Sequence, residues 1–238
     1  MFYPILLAGL RMAWKAGLQS GIVTNGYWAT SVEDAERWLL PMLGLRIVDF
    51  SVSDDEFHST KGDVSPGTMA YRAAKKMGLP CNRICVETPR VEFRGASSSN
   101  KGKPVAGGGV RFRGRAAEKL TAGLPIRPWH DLTTCPHEEL ARPERVHVDA
   151  FGNVHVCQGI SIGNLWRTPL AELMREYDAA RHPIVGPLVE AGPARLVERF
   201  EFPASDGYVD ECHLCYATRK SLVPLFPLHL APAQVYDL

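Results

Sequence analysis

Four cysteines separated by long stretches of chain constrain this sequence more than any other feature. Cys135 stands alone, Cys157 closes the run Gly152-Asn-Val-His-Val-Cys157, and Cys212 and Cys215 form a C-x2-C pair in Asp-Glu-Cys-His-Leu-Cys. A C-x2-C pair with two distant partners is how a chain wraps four thiolates around a zinc ion or an iron–sulfur cluster. Thiolates suit soft metals, and ligand type alone leaves zinc and iron–sulfur both open. The competing reading is a set of scattered core cysteines, since free cysteine is among the most buried residue types. Gly152 before Cys157 and the tight Cys212/Cys215 pair read as turn chemistry, which favours a metal. Cys81 and Cys85 have no third partner following them and read as core or surface thiols.

The redox compartment bears on that choice. The opening Met1-Phe-Tyr-Pro-Ile-Leu-Leu-Ala-Gly-Leu is apolar, but it lacks a basic leader and is followed by Arg11 and Lys15. It is too short to span a bilayer and reads as a buried helix. A cytoplasmic chain with reduced cysteines is therefore expected, favouring metal over disulfide. The net charge of +1 argues against nucleic acid or an anionic membrane as the main partner.

Residues 1 to about 127 repeat a helix, a short apolar strand and a polar turn. Pro4 suits the first turn of a helix ended by Gly17, and Gly21–Thr24 reads as a strand leading into Asn25-Gly26. Thr30-Ser-Val-Glu33 reads as a capping box opening a helix closed at Gly44. Arg46–Ser53 alternates as a strand and empties into Asp54-Asp55-Glu56-Phe57-His58. Ser65-Pro66 opens the next helix, ended by Gly78. Arg83–Glu87 and Gly109–Arg113 read as further strands, with flexible loop over Ser97–Lys103 and Gly107–Gly109. Strands alternating with helices predict parallel βαβ units, whose ligands sit at the carboxyl ends of the strands. Those ends carry Asn25, Ser53 with Asp54 and Asp55, Glu87, and Arg113 with Arg115. Asp54, Asp55 and His58 read either as a ligand-binding or acid/base cluster or as a solvated turn. Glu87, in an apolar strand, needs a cation or a ligand hydroxyl nearby.

After about Pro128 the pattern changes to short antiparallel strands. Arg145–Asp149 and Val154–Cys157 form a hairpin candidate about Phe151-Gly152-Asn153. Thr168 reads as the cap of a helix with Pro169 at its first position, ending near Ala180. Gly192-Pro193 opens another helix, and the segment from Pro224 to Pro232 reads as ordered coil packed on the body.

Taken together, these residues resemble the radical S-adenosylmethionine (radical SAM) superfamily. Thr24-Asn-Gly-Tyr-Trp, Ser53-Asp-Asp-Glu-Phe-His58 and Arg113-Gly-Arg-Ala116 look like later strand ends of its barrel. Residues 128–238 look like its C-terminal auxiliary-cluster extension of the twitch or SPASM type. There a lone cysteine, a Gly-x4-Cys hairpin and a later C-x2-C hold a 4Fe-4S cluster, as Cys135, Gly152 with Cys157, and Cys212 with Cys215 are laid out here. Ile162-Gly-Asn-Leu165 follows the hairpin as in such domains.

The resemblance implies an α/β fold: an incomplete parallel radical-SAM-type partial TIM barrel of about four βα units over 1–127, then a small α+β domain over 128–238. It implies Asn25, Ser53, Asp54 and Arg113 as SAM-side contacts and an auxiliary 4Fe-4S cluster as cofactor. The implied partners are SAM, a peptide, protein or metabolite substrate, and a reductant protein. The family's C-x3-C-x2-C loop, which binds the cluster that cleaves SAM, has no counterpart here, nor does its Gly-Gly-Glu-Pro-like turn. The chain reads as starting past both, as a fragment inactive alone whose parent carries out a SAM-dependent radical modification. The alternative is a non-catalytic iron–sulfur or zinc module.

Overall fold

Helix α1 (Tyr3–Lys15) opens the chain and turns inward only Leu7 and Leu10. Gly17, at φ +76°, ends it as expected of a residue that tolerates the left-handed region. The computed structural model describes residues 3–58, 64–93 and 104–238. Over these the chain forms two compact units, residues 1–88 and 89–238, dividing ahead of the change at 127/128 that sequence pattern indicates.

In the first unit, β1 (Ser20–Thr24), β2 (Ile47–Ser53) and β3 (Cys81–Ile84) form a parallel sheet in the order β1-β2-β3. Ile22 pairs with Phe50, and Phe50 with Cys81. The crossovers are α2 (Val32–Leu39) and α3 (Pro66–Lys76), which pack together over a core of Leu39, Phe50, Val52, Ala70 and Ala74. Small alanines on α3 allow that close approach. The cap of α2 is Ser31, one residue later than the sequence suggests: its hydroxyl accepts the Asp34 N–H at 3.1 Å. Asp34 returns the bond by accepting the Thr30 N–H and hydroxyl. The helix passes at Leu40 into a 3-10 turn that ends at Met42, ahead of Gly44. Ser65 caps α3 through the Thr68 N–H, with Pro66 in the first turn.

Two strands read from sequence differ in the structure. Cys81–Ile84 carries the third strand, so Glu87 lies past its end on an exposed stretch and is not a buried carboxylate. Gly109–Arg113 is coil rather than strand. The parallel sheet thus has three strands among the described residues. The Ser97–Lys103 loop lies outside the described residues.

The second unit begins with β4 (Val91–Phe93), antiparallel to β5 (Pro104–Ala106), followed by α4 (Arg115–Lys119) and β6 (Arg127–Pro128). Strands β7 (His147–Val148), β8 (Asn153–Cys157) and β9 (Ile160–Asn164) form an antiparallel sheet in that order. The β7–β8 hairpin is the expected one. Its Gly152 sits at φ +83° beneath the Trp166 ring, where a Cβ would meet Nε1 at 2.5 Å. β9 is a strand that the sequence pattern does not announce. Helix α5 (Leu170–Glu176) has Pro169, not Thr168, at its cap position and stops well before Ala180. Helix α6 (Val185–Phe200) is two segments joined at a break over Ala191 and Gly192, so Pro193 does open a helical run. β10 (Gly207–Tyr208) pairs with β6, and α7 (Glu211–Leu222) follows. Leu230 and Tyr236 of the tail are fully buried, packing that segment on the core of this unit. No helix among the described residues is long and apolar enough to cross a membrane.

Candidate metal centre

Three separate pieces of the second unit bring four thiols to one place. Cys135 lies in the loop after a 3-10 turn at Trp129–Asp131, Cys157 ends β8, and Cys212 and Cys215 lie on the opening turns of α7. All four line a single cavity of about 30 Å³, together with Arg113 and Arg219. A water needs roughly 10–15 Å³ by that measure, so the space exceeds one solvent molecule.

Each ligand candidate is held by identifiable chemistry. The Cys135 loop is clamped at its start by the Ala194 N–H, which donates to the Leu132 carbonyl at 3.0 Å. Its far end is held by Glu138, whose buried carboxylate accepts from Arg111 at 3.2 Å and Arg145 at 3.0 Å. Burial opposes the Glu138 charge, and the two guanidiniums outweigh it, keeping the carboxyl below its usual range. Cys157 receives the Arg113 Nη1 at 3.6 Å. Asp210 caps α7 by accepting the His213 N–H at 2.8 Å, presenting Cys212 and Cys215 at the positive end of the helix. The pair is therefore helical and not turn-borne, as the sequence suggests. A helix start is the better platform, because it holds both thiols on a rigid backbone.

The thiols of this cavity act on one another electrostatically. Burial pushes the Cys135 thiol up, against the pull of the Glu138 and His137 backbone N–H groups, and Cys157 raises it further. Burial, Asp210 and the neighbouring thiols raise Cys212, opposed by Arg113. Burial pushes Cys215 up to about 11, with Arg219 opposing and Cys157 and Cys135 adding to the rise. Burial and the neighbouring thiols thus hold these groups toward the neutral thiol, while Arg113 and Arg219 favour the thiolate.

Arg219 is the residue that sequence reading missed. It is 2% exposed and one turn beyond Cys215 on the same face of α7. Its Nε donates to the Cys215 carbonyl at 3.3 Å, and its Nη1 to the Gln158 carbonyl at 2.9 Å and the Tyr236 hydroxyl at 3.0 Å. Among the described residues no carboxylate pairs with it, and the same holds for Arg113. A helical reading of the C-x2-C segment would have placed Cys212, Cys215 and Arg219 on one stripe.

Among the described residues no group of three or more His, Cys, Asp or Glu side chains is arranged to hold a metal ion. The thiols share a cavity without closing on one point.

The strand-end residues of the first unit are engaged locally. The Asn25 Oδ1 accepts the Tyr27 N–H at 3.3 Å, and Thr24 accepts from Gly26 and the Trp28 indole. Ser53 ends β2, its carbonyl against Gly67. Asp54 accepts from the Ser65 hydroxyl, from the Thr68 hydroxyl at 2.9 Å and from Arg83 at 3.4 Å, so it serves the start of α3. Asp55 and His58 do meet, at 2.7 Å, and the Val86 N–H also reaches Asp55 at 3.2 Å. Arg113 belongs to the second unit, on the coil before α4, beside Cys157. Cys81 is half-buried and Cys85 exposed, both free.

Comparison with protein-family models gives no match, and no curated protein matches the sequence.

Proposed function

We propose that this chain belongs to the radical SAM superfamily and that its second unit carries an auxiliary 4Fe-4S cluster on Cys135, Cys157, Cys212 and Cys215. The observation that carries the reading is the cavity walled by four thiols and two arginines that lack carboxylate partners among the described residues. A buried guanidinium without a counter-anion is costly, and a thiolate-ligated cluster supplies negative charge there. Thiols spread around a shared space suit a polynuclear cluster better than the closed tetrahedron of structural zinc. The three-stranded parallel sheet supports its assignment as part of a partial barrel, with Asn25, Ser53 and Asp54 at the strand ends that face SAM in the complete enzyme. Arg113 would then sit beside the cluster. When bound, the cluster supplies one-electron chemistry. The chain's own residues would hold the four thiolates and place the Arg219 charge against them. Substrate, whether peptide, protein or metabolite, and the reductant protein follow from the same family resemblance.

Anaerobic purification with iron and sulfide tests this reading. A brown protein with about four irons per chain, bleached by Cys212→Ser, is the expected result. A colourless protein holding one zinc per chain would overturn it in favour of a structural module.

A further inference from the structure

Tyr236 is fully buried and is linked to the four-thiol cavity through Arg219. Its hydroxyl accepts the Arg219 Nη1 at 3.0 Å and donates to the Gly159 carbonyl at 2.8 Å. The same Nη1 donates to the Gln158 carbonyl at 2.9 Å, and Nε to the Cys215 carbonyl at 3.3 Å. Arg219 and Tyr236 together therefore hold the carbonyls of both residues that follow Cys157, and the carbonyl of Cys215. The guanidinium acts electrostatically on the Cys215 and Cys157 thiols alike.

The segment from Leu230 to Tyr236 is seated closely on this network. Gly159 has φ +81°, and a Cβ there would lie 2.6 Å from Tyr236 Oη. Tyr216 stacks on the Tyr236 ring at 5.8 Å, and the guanidinium carbon of Arg219 lies 5.5 Å from the centre of that ring. The hydroxyl thus has both its donor and its acceptor role filled, which fixes the guanidinium on one side. Carbonyls and a phenol are neutral partners, so the hydrogen bonds orient the Arg219 charge without cancelling it. One-electron reduction adds negative charge to thiolate-bound iron, and the potential of such a centre follows its charge and hydrogen bonding. A cation fixed beside it in a desolvated wall favours the reduced state.

We propose that Tyr236 is a positioning residue that holds the Arg219 charge against the centre, so that the Leu230–Tyr236 segment sets how readily the centre accepts an electron. The inference rests on the cluster reading, and the electron comes from the reductant protein of that reading.

The full chain, reconstituted anaerobically, is titrated with dithionite while its visible absorbance is followed, and iron is counted on every variant. Arg219→Gln is expected to lower the equilibrium constant for reduction about tenfold, a fall of about 59 mV for one electron. Arg219→Lys should recover part of that through charge without the fork. Tyr236→Phe keeps the stacked ring and removes the hydroxyl, and is expected to shift the potential in the same direction by less, because the Gln158 and Cys215 bonds remain. Adding Tyr236→Phe to Arg219→Gln should shift it no further, as a residue acting through Arg219 requires. If Arg219→Gln retains no iron, Tyr236→Phe and the same change added to Arg219→Lys carry the test. A brown protein with about four irons per chain whose potential is unmoved by Arg219→Gln or by Tyr236→Phe overturns this inference and leaves the cluster reading standing. So does a double variant in which the two shifts add. A colourless wild-type protein overturns both.

Discussion

Gly192 packs against the Cys135 loop, and replacing it with alanine tests how the proposed metal centre is held. Gly192 has φ +63° and ψ −159°, a combination essentially confined to glycine. A Cβ there would overlap the carbonyl carbon of Thr133 and the nitrogen of Thr134, and would lie 2.7 Å from the Thr133 oxygen. All three are backbone atoms, immediately ahead of Cys135, so no rotamer change relieves the clash. Forcing the backbone into that region costs about 1–3 kcal/mol. Displacing a packed neighbour costs about 1–3 kcal/mol more. The sum, roughly 2–6 kcal/mol, is a large part of the 5–15 kcal/mol typical of a folded domain. Gly123 provides the control: it too has a positive φ, +74°, but open space around the missing Cβ. Gly123→Ala should cost only about 1–2 kcal/mol. Urea unfolding measures both losses, and iron content after anaerobic reconstitution reads the site. Gly192→Ala should lose both stability and iron retention, whereas Gly123→Ala retains iron. A Gly192→Ala protein as stable as the control would refute the argument that this glycine clamps the loop.

Other outcomes follow from the same physics. His182 Nδ1 accepts the Ile184 and Val185 N–H groups at 3.2 and 3.1 Å, and burial, helped by the facing His229 ring, lowers its pKa to about 4. Because the unfolded state takes up that proton first, near pH 6.5, stability is fully present above 6.5 and falls as pH drops toward 4, by about 3 kcal/mol in all. His182→Asn keeps an acceptor and removes the titration, so urea midpoints of the two proteins should converge on acidification; parallel pH profiles would contradict this. Val23, 68% exposed on edge strand β1, is a pairing hazard, and Val23→Lys should reduce aggregation in light scattering without lowering the melting temperature. Ser31→Ala should cost about 1 kcal/mol in chemical unfolding, and no loss would discount the cap on α2.

Local chemistry was legible wherever a short segment carried its own instruction. Gly17 and Gly78 stop helices at positive φ, Ser65-Pro66 starts one, and the turn about Gly152 closes a hairpin. Such signals act over three or four residues and need no partner. Gly109–Arg113 misled because alternation of apolar and polar residues cannot supply a hydrogen-bonding neighbour, and no strand among the described residues pairs with it. β9 went unread for the converse reason: β8 recruits it, and Gly163 weakens its own strand signal. The Cys212/Cys215 segment looked like a turn because its Asp210 cap is recognisable only once the following residues are helical.

By itself, the sequence determined which side chains are available: four cysteines in an order fit for one metal site, parallel βα units near the start, and a glycine hairpin beside Cys157. Only the tertiary structure decided that the four thiols share one cavity, that Arg219 lies buried against it with no carboxylate partner among the described residues, and that Asp54 serves the start of α3. The reason is distance along the chain. Capping and turn energies are set by neighbours in sequence. The charge balance of a buried site is set by groups such as Gln158, Arg219 and Tyr236, which the folded core alone brings together.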